Sequence, residues 1–258
     1  MIRSVSMCAR PATLASLAVA SLSALLWAVP AEAKKFVYSP IVHEGEKELE
    51  YYVDWYQDAA DRTTAVNHEV EVVNVLAEHD KLSLYGVWED RSKGGELNFV
   101  RYKIEWIHQI FEHNERSWDA GFYLEYQIQD DPTGVQKADK IEFKPLLAKS
   151  VGKTEFRFNG VLEKELGVAT AGATTPGAEL GYAAQVSLQA RPVQPMLEVF
   201  GSLGEVRDLH YSKNRQLIGP VFKVGLGRRL VWEVGALFGT TPASEDVRIK
   251  SNLALEWY

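Results

Sequence analysis

His210 and Ser212 are the one place in this chain where an imidazole and a hydroxyl stand two residues apart. Residues i and i+2 of a strand share a face. On a strand, the pair would therefore have the geometry of a base beside the nucleophile it activates. Glu205, Asp208 and Asn214 are near enough in sequence to orient the ring. Against this, the stretch around the pair is polar and irregular and reads as a loop. No catalytic residue is therefore expected, and Ser212 with His210 is kept as the alternative, a lipid hydrolase. The other histidines, His43, His68, His79, His108 and His113, include no pair at the i, i+4 spacing of a helical metal site. His79, His108 and His113 fall near predicted turns on one rim, but no metal is expected there. The chain has no phosphate-cradling glycine loop, calcium loop or zinc spacing, and no cofactor is expected.

A larger set of ionisable residues recurs at every second position. In Ala120-Gly121-Phe122-Tyr123-Leu124-Glu125-Tyr126-Gln127-Ile128, the even-numbered residues form an apolar face and Tyr123, Glu125 and Gln127 lie on the other. Strand side chains alternate with period two, so such a strand separates an oily surface from a wet one. The unit repeats from residue 46 to the end, with strands expected near 46–56, 66–77, 81–90, 97–110, 119–129, 139–147, 153–163, 178–190, 196–203, 216–226, 229–239 and 246–258. Twelve strands without helices predict an all-β, transmembrane antiparallel barrel with periplasmic termini, because only a closed barrel satisfies every backbone group in lipid without helices.

The connections sort into two kinds. Those at 57–65, 91–96, 130–138, 164–177, 204–215 and 240–245 are mostly long. Those at 78–80, 148–152, 191–195 and 227–228 are tight, and 112–117 is longer. Long loops on one rim and short turns on the other fit the extracellular and periplasmic sides of a barrel. Trp55 and Trp88 fall near one rim and Trp106, Trp118, Trp232 and Trp257 near the other, as membrane-interface anchors do. The closing strand alternates through Val247, Ile249, Leu253, Leu255 and Trp257, so the terminal aromatic Tyr258 is one residue out of phase. Gly160, Gly181, Gly201, Gly225 and Gly235 fall inside strands and are expected to relieve curvature.

Placing the apolar face on lipid turns the other face inward. The lumen then collects Glu48, Glu50, Asp54, Glu69, Glu71, Glu105, Glu125, Glu142, Glu155, Glu163, Glu179, Glu198, Glu233 and Glu256. Arg101, Lys103, Lys144, Arg157, Lys223, Arg248 and Lys250 oppose them. Such charges need water or partners, since an unpaired buried charge costs several kcal/mol. A narrow aqueous path lined mainly by acids favours cations. Glu50, Glu71, Glu125, Glu155 and Glu179, with Arg101, Lys103 and Arg157, are the expected selectivity residues. The competing arrangement is a set of ion-pair ladders that plug the barrel and leave it a structural or docking element.

Residues 1–33 read as a signal peptide. Arg3 and Arg10 precede an apolar run from about Ala12 to Val29, and Ala31-Glu32-Ala33 supplies a small-x-small cleavage site. Residues 34–258 are then the barrel. The single cysteine, Cys8, leaves with the signal, which excludes disulfides and thiolate chemistry from the mature chain. Loss of Arg3, Arg10 and Glu32 moves the formal charge from -7 to -8. An acidic chain argues against nucleic acid. The expected partners are outer-membrane lipid, the barrel-assembly machinery during biogenesis, and small solutes.

Three segments carry a resemblance: Val37-Tyr38-Ser39-Pro40 with Glu44 through Tyr51, His210-Tyr211 with Leu217 through Val221, and Glu233 through Ser244 with the closing strand. There the chain resembles poorly characterised proteobacterial outer-membrane barrels, similar to the transporter-like group of the MetA pathway of phenol degradation. The resemblance implies a Gram-negative outer-membrane barrel with a transport role and assigns no catalytic residue. His210-Tyr211-Ser212 separately looks like the local motif of outer-membrane phospholipases and lipid A deacylases. The Asn-Gly that follows the pair there is replaced by Lys213-Asn214-Arg215. The expected function is a passive, narrow, cation-leaning channel or porin.

Overall fold

The computed structural model describes residues 35–57, 64–91, 96–111, 118–130, 137–167 and 177–257. The expected signal segment with Cys8, the 112–117 connection with His113, and Tyr258 lie outside these residues. Alternating sequence becomes alternating burial throughout. In β1 (Lys47–Gln57), Glu48, Glu50, Tyr52, Asp54 and Tyr56 are buried, while Leu49 and Tyr51 are exposed. The same rule builds β2 (Thr64–Ala77), β3 (Asp80–Arg91), β4 (Asn98–Gln109), β5 (Asp119–Gln129), β6 (Asp139–Val151), β7 (Thr154–Leu166), β8 (Glu179–Leu188), β9 (Val193–Glu205), β10 (Gln216–Gly225), β11 (Leu230–Gly239) and β12 (Val247–Trp257). Each strand pairs antiparallel with its sequence neighbours, and β1 pairs with β12 to close the barrel. Closure leaves no strand edge to be satisfied by solvent.

Three predicted connections are shorter than their sequence suggests. β6 runs on through Val151, so the turn to β7 is Gly152-Lys153 and not the whole of 148–152. β7 continues to Leu166, into the expected 164–177 loop. β9 starts at Val193, and Pro195 sits inside it opposite Phe222. Proline cannot donate to a ladder, which is why this stretch reads as a turn, but its carbonyl and side chain still suit a strand.

The outer wall is apolar. Leu49, Val72, Ile104, Phe158, Ile249 and Leu253 are among its exposed residues. Trp106, Trp118 and Trp232 are exposed on it, and Trp55, Trp88 and Trp257 are half-buried. Among the described residues no helix is long and apolar enough to cross a membrane. Several strand-interior glycines admit a close backbone neighbour. A Cβ on Gly235 would lie 2.8 Å from the Pro220 carbonyl oxygen, and one on Gly181 would lie 2.8 Å from that of Gly201.

Two apolar clusters lie inside the barrel. One joins Val37 to Ala183, Met196, Phe200, Leu217, Val221 and Leu237, and the other gathers Tyr38, Val42, Val75, Ile107, Tyr123 and Leu146. Val37, Tyr38 and Val42 belong to the segment before β1, so that segment runs within the lumen.

Candidate functional site

The inward face is densely ionised. Among the described residues, its buried acids include Glu50, Asp54, Glu69, Glu71, Glu105, Glu125, Glu142, Glu155, Glu198 and Glu233, and its buried bases include Arg101, Lys103, Lys140, Lys144, Arg248 and Lys250. Arg248 is 0 % exposed and Lys250 1 %, so these charges are out of water. Charges in that state persist only when paired.

The pairs are local and specific. Lys103 Nζ lies 3.0 Å from Glu69, and Arg101 Nη2 lies 3.0 Å from Glu89. Lys144 meets Glu142 at 2.6 Å. Arg157 grips Glu155 with two bonds, at 2.9 and 3.1 Å. Lys250 lies between Glu198 at 2.6 Å and Glu233 at 3.0 Å. Arg248 bridges Asp54 at 3.0 Å and Glu245 at 2.6 Å. Neutral donors complete the set. The Tyr85 hydroxyl donates to Glu105, and Tyr123 and Gln127 both donate to Glu125.

Strand register adds an arrangement that no single strand shows. Glu105 pairs with Glu125, Glu125 with Glu142, Glu142 with Glu163, and Glu163 with Glu179. Glu179 in turn stands opposite Glu205. Six consecutive strands thus present a glutamate on one register line. Barrel strands are tilted, so such a line climbs. It begins in the body of β4 and ends at the long-loop mouth, where β8 begins and β9 ends. Like charges directly opposite one another destabilise a sheet. Lys103 and Lys144, each two residues along its strand from a glutamate of the line and on opposite sides of it, and Lys140, bonded to Glu163 at 2.8 Å, offset that repulsion.

All eight expected selectivity residues are on the inward face. Glu50, Glu71, Glu125, Glu155, Arg101 and Lys103 are buried; Glu179 and Arg157 are half-buried. Only Glu125 and Glu179 share the register line. Lys81, Glu89 and Lys140 also face inward and are in phase with the alternation, so their spacing already marked them. Lys81 bonds Glu48 at 3.1 Å. Glu245 gave no such signal. It comes from the 240–246 connection, which folds inward with Ser244 Oγ accepting from the Gln216 amide at 2.8 Å. Towards the short-turn mouth a cavity of about 190 Å³ is lined by Phe36, Tyr38, Glu48, Glu50, Lys223 and Asn252, among others.

The His210–Ser212 pair lies in the β9–β10 connection, outside any strand, and so lacks the shared face its spacing suggested. His210 Nε2 meets Asp208 at 2.7 Å, Asn214 donates to the His210 carbonyl and not to its ring, and no hydrogen bond joins His210 to Ser212. Among the described residues, no group of three or more His, Cys, Asp or Glu side chains is placed to hold a metal.

A closed antiparallel sheet with an apolar outer wall and an ionised interior defines the transmembrane β-barrel class. The fold matches a COG4313 outer membrane channel from Pseudomonas putida F1 at a TM-score of 0.61, with 9% identity, over 88% of this chain and 99% of that one. It also matches the β domain of the Bordetella autotransporter BrkA at a TM-score of 0.50, with 9% identity, over 82% of this chain and 98% of that one. Both likenesses are of fold. No protein-family model matches the chain, and no curated protein matches its sequence.

Proposed function

We propose that this barrel resides in the outer membrane of a Gram-negative bacterium, exported through the signal peptide at 1–33, and acts as a passive, narrow, cation-leaning channel for small solutes. The observation that carries the reading is the register line from Glu105 to Glu179. A row of like charges across five strands weakens the sheet, and an acid-lined path is what favours cations in a pore. Glu50, Glu71, Glu125, Glu155 and Glu179 set the sign of the selectivity, and Arg101, Lys103 and Arg157 hold the acids in place. The test is conductance and reversal potential in a planar bilayer under a potassium chloride gradient. Discrete steps with a cation-selective reversal potential support the reading; anion selectivity, or silence of the folded barrel both with and without the segment inside its lumen, overturns it.

The second reading is a plugged scaffold or docking barrel, and the density of dry ion pairs favours it. It predicts a folded barrel that passes no current under any condition, including after removal of the segment inside the lumen.

A further inference from the structure

The chain before β1 does not add a strand to the wall. At the short-turn mouth it reverses through His43 to Glu46, with Gly45 at φ +78° and the Glu46 amide donating to the His43 carbonyl at 3.2 Å. The strap of residues 35–42 then runs back inside the barrel. Wall side chains hold its backbone. Asn159 brackets Tyr38, its Oδ1 accepting from the Tyr38 amide at 2.7 Å and its Nδ2 donating to the Tyr38 carbonyl at 3.1 Å. Gln109 accepts from the Val42 amide at 2.8 Å, and Lys250 donates to the Lys35 carbonyl at 3.1 Å. A side-chain amide that pairs with both the N–H and the C=O of one residue recognises extended backbone as a neighbouring strand would.

The strap's side chains are seated as well. Val37 packs on the apolar patch of β8 to β11, with Phe200 and Leu217. The Tyr38 ring lies 4.6 Å from that of Tyr123, and Lys144 sits over both rings at 4.7 and 4.2 Å. Tyr123 bonds Glu125 and Lys144 bonds Glu142, so the strap covers the middle of the glutamate line. Gly121 leaves room for it, since a Cβ there would lie 3.0 Å from Pro40 Cβ. These four strap bonds go to wall side chains and not to the backbone groups of the β-ladder, so breaking them leaves the ladder intact.

We propose that residues 35–42 are a removable plug, seated in a lumen slot that recognises extended peptide backbone, and that their release opens the glutamate line to cations. The opening step rests on the channel reading above; the slot does not.

The experiment compares the full chain with a Val37→Asp/Tyr38→Ala variant in planar bilayers, after heat-modifiable migration has shown both barrels to be folded. The expected result is a several-fold larger conductance in the variant. Addition of a synthetic peptide with the sequence of residues 35–42 then returns it to the level of the full chain. Asn159→Leu, introduced into the variant, weakens that block at least fivefold. Should the double variant not fold, Asn159→Leu alone in the full chain takes its place, with the same increase expected. Equal conductance in both proteins overturns the plug and leaves the channel reading standing. Silence in both overturns the channel reading and the opening step. Fluorescence anisotropy of the labelled peptide then decides the slot alone, and absence of saturable binding to the folded variant overturns it too.

Discussion

Lys250→Met tests whether the interior is dry. Lys250 Nζ lies 2.6 Å from Glu198 and 3.0 Å from Glu233, and all three side chains are buried. Methionine preserves most of the volume and removes the charge, leaving two carboxylates facing each other without water. Breaking one buried pair costs about 3–5 kcal/mol, because the stranded charge loses both its partner and its hydration. Glu198 keeps one bond, from Gln185 at 2.9 Å, which places the expected loss towards the lower end of that range. Lys250→Met/Glu198→Gln removes the most buried stranded charge, so the double variant should recover about 1–2 kcal/mol relative to the single one. The assay is equilibrium urea unfolding in lipid vesicles, followed by tryptophan emission. A loss below about 1 kcal/mol for Lys250→Met, the size of a solvated surface pair, would mean that water reaches this level of the lumen and that the interior is not dry.

Glu125→Gln/Glu142→Gln removes two adjacent steps of the glutamate line, and the reversal potential in a salt gradient should move towards zero, most clearly in a strap-released background. Gly121→Ala places a Cβ 2.7 Å from the His108 carbonyl oxygen, a backbone atom that cannot step aside, and should cost about 1–3 kcal/mol in the same unfolding assay. Val70→Arg puts a cation on the outer wall near the middle of β2 and should cost about 2–4 kcal/mol in vesicles; a neutral result would mean that this face does not meet lipid.

The strands and their inward faces were legible because both depend on one local rule, the alternation of side chains. In β5, Phe122, Leu124 and Tyr126 against Tyr123, Glu125 and Gln127 already separate the two faces. Pairing was not legible, because it depends on which residues of neighbouring strands align, and a one-residue slip would dissolve the glutamate line. The strap was invisible for another reason. Phe36-Val37-Tyr38 has no partner strand and no period, so its apolar side chains look like a short lead-in to β1 when they are part of the filling of the barrel. Glu245 is a similar case, a loop acid whose burial follows from the inward fold of 240–246 around Gln216.

A barrel under selection for stability alone gains little from its interior charges. Well-packed apolar residues of similar volume often match or exceed a buried ion pair. This chain has the means to build such a core, since β8 to β11 already present Ala183, Met196, Phe200, Leu217, Val221 and Leu237 to the lumen. From β4 to β8 it instead aligns glutamates strand after strand and balances them with lysines to either side. Spreading the same acids out of register would lower the repulsion without losing a single ion pair of the kind Lys103 makes with Glu69. The alignment therefore has a cost that stability does not explain. A removable strap over the middle of the line reconciles the two demands: with Tyr38 seated the interior is packed and dry, and without it the acids face an open lumen.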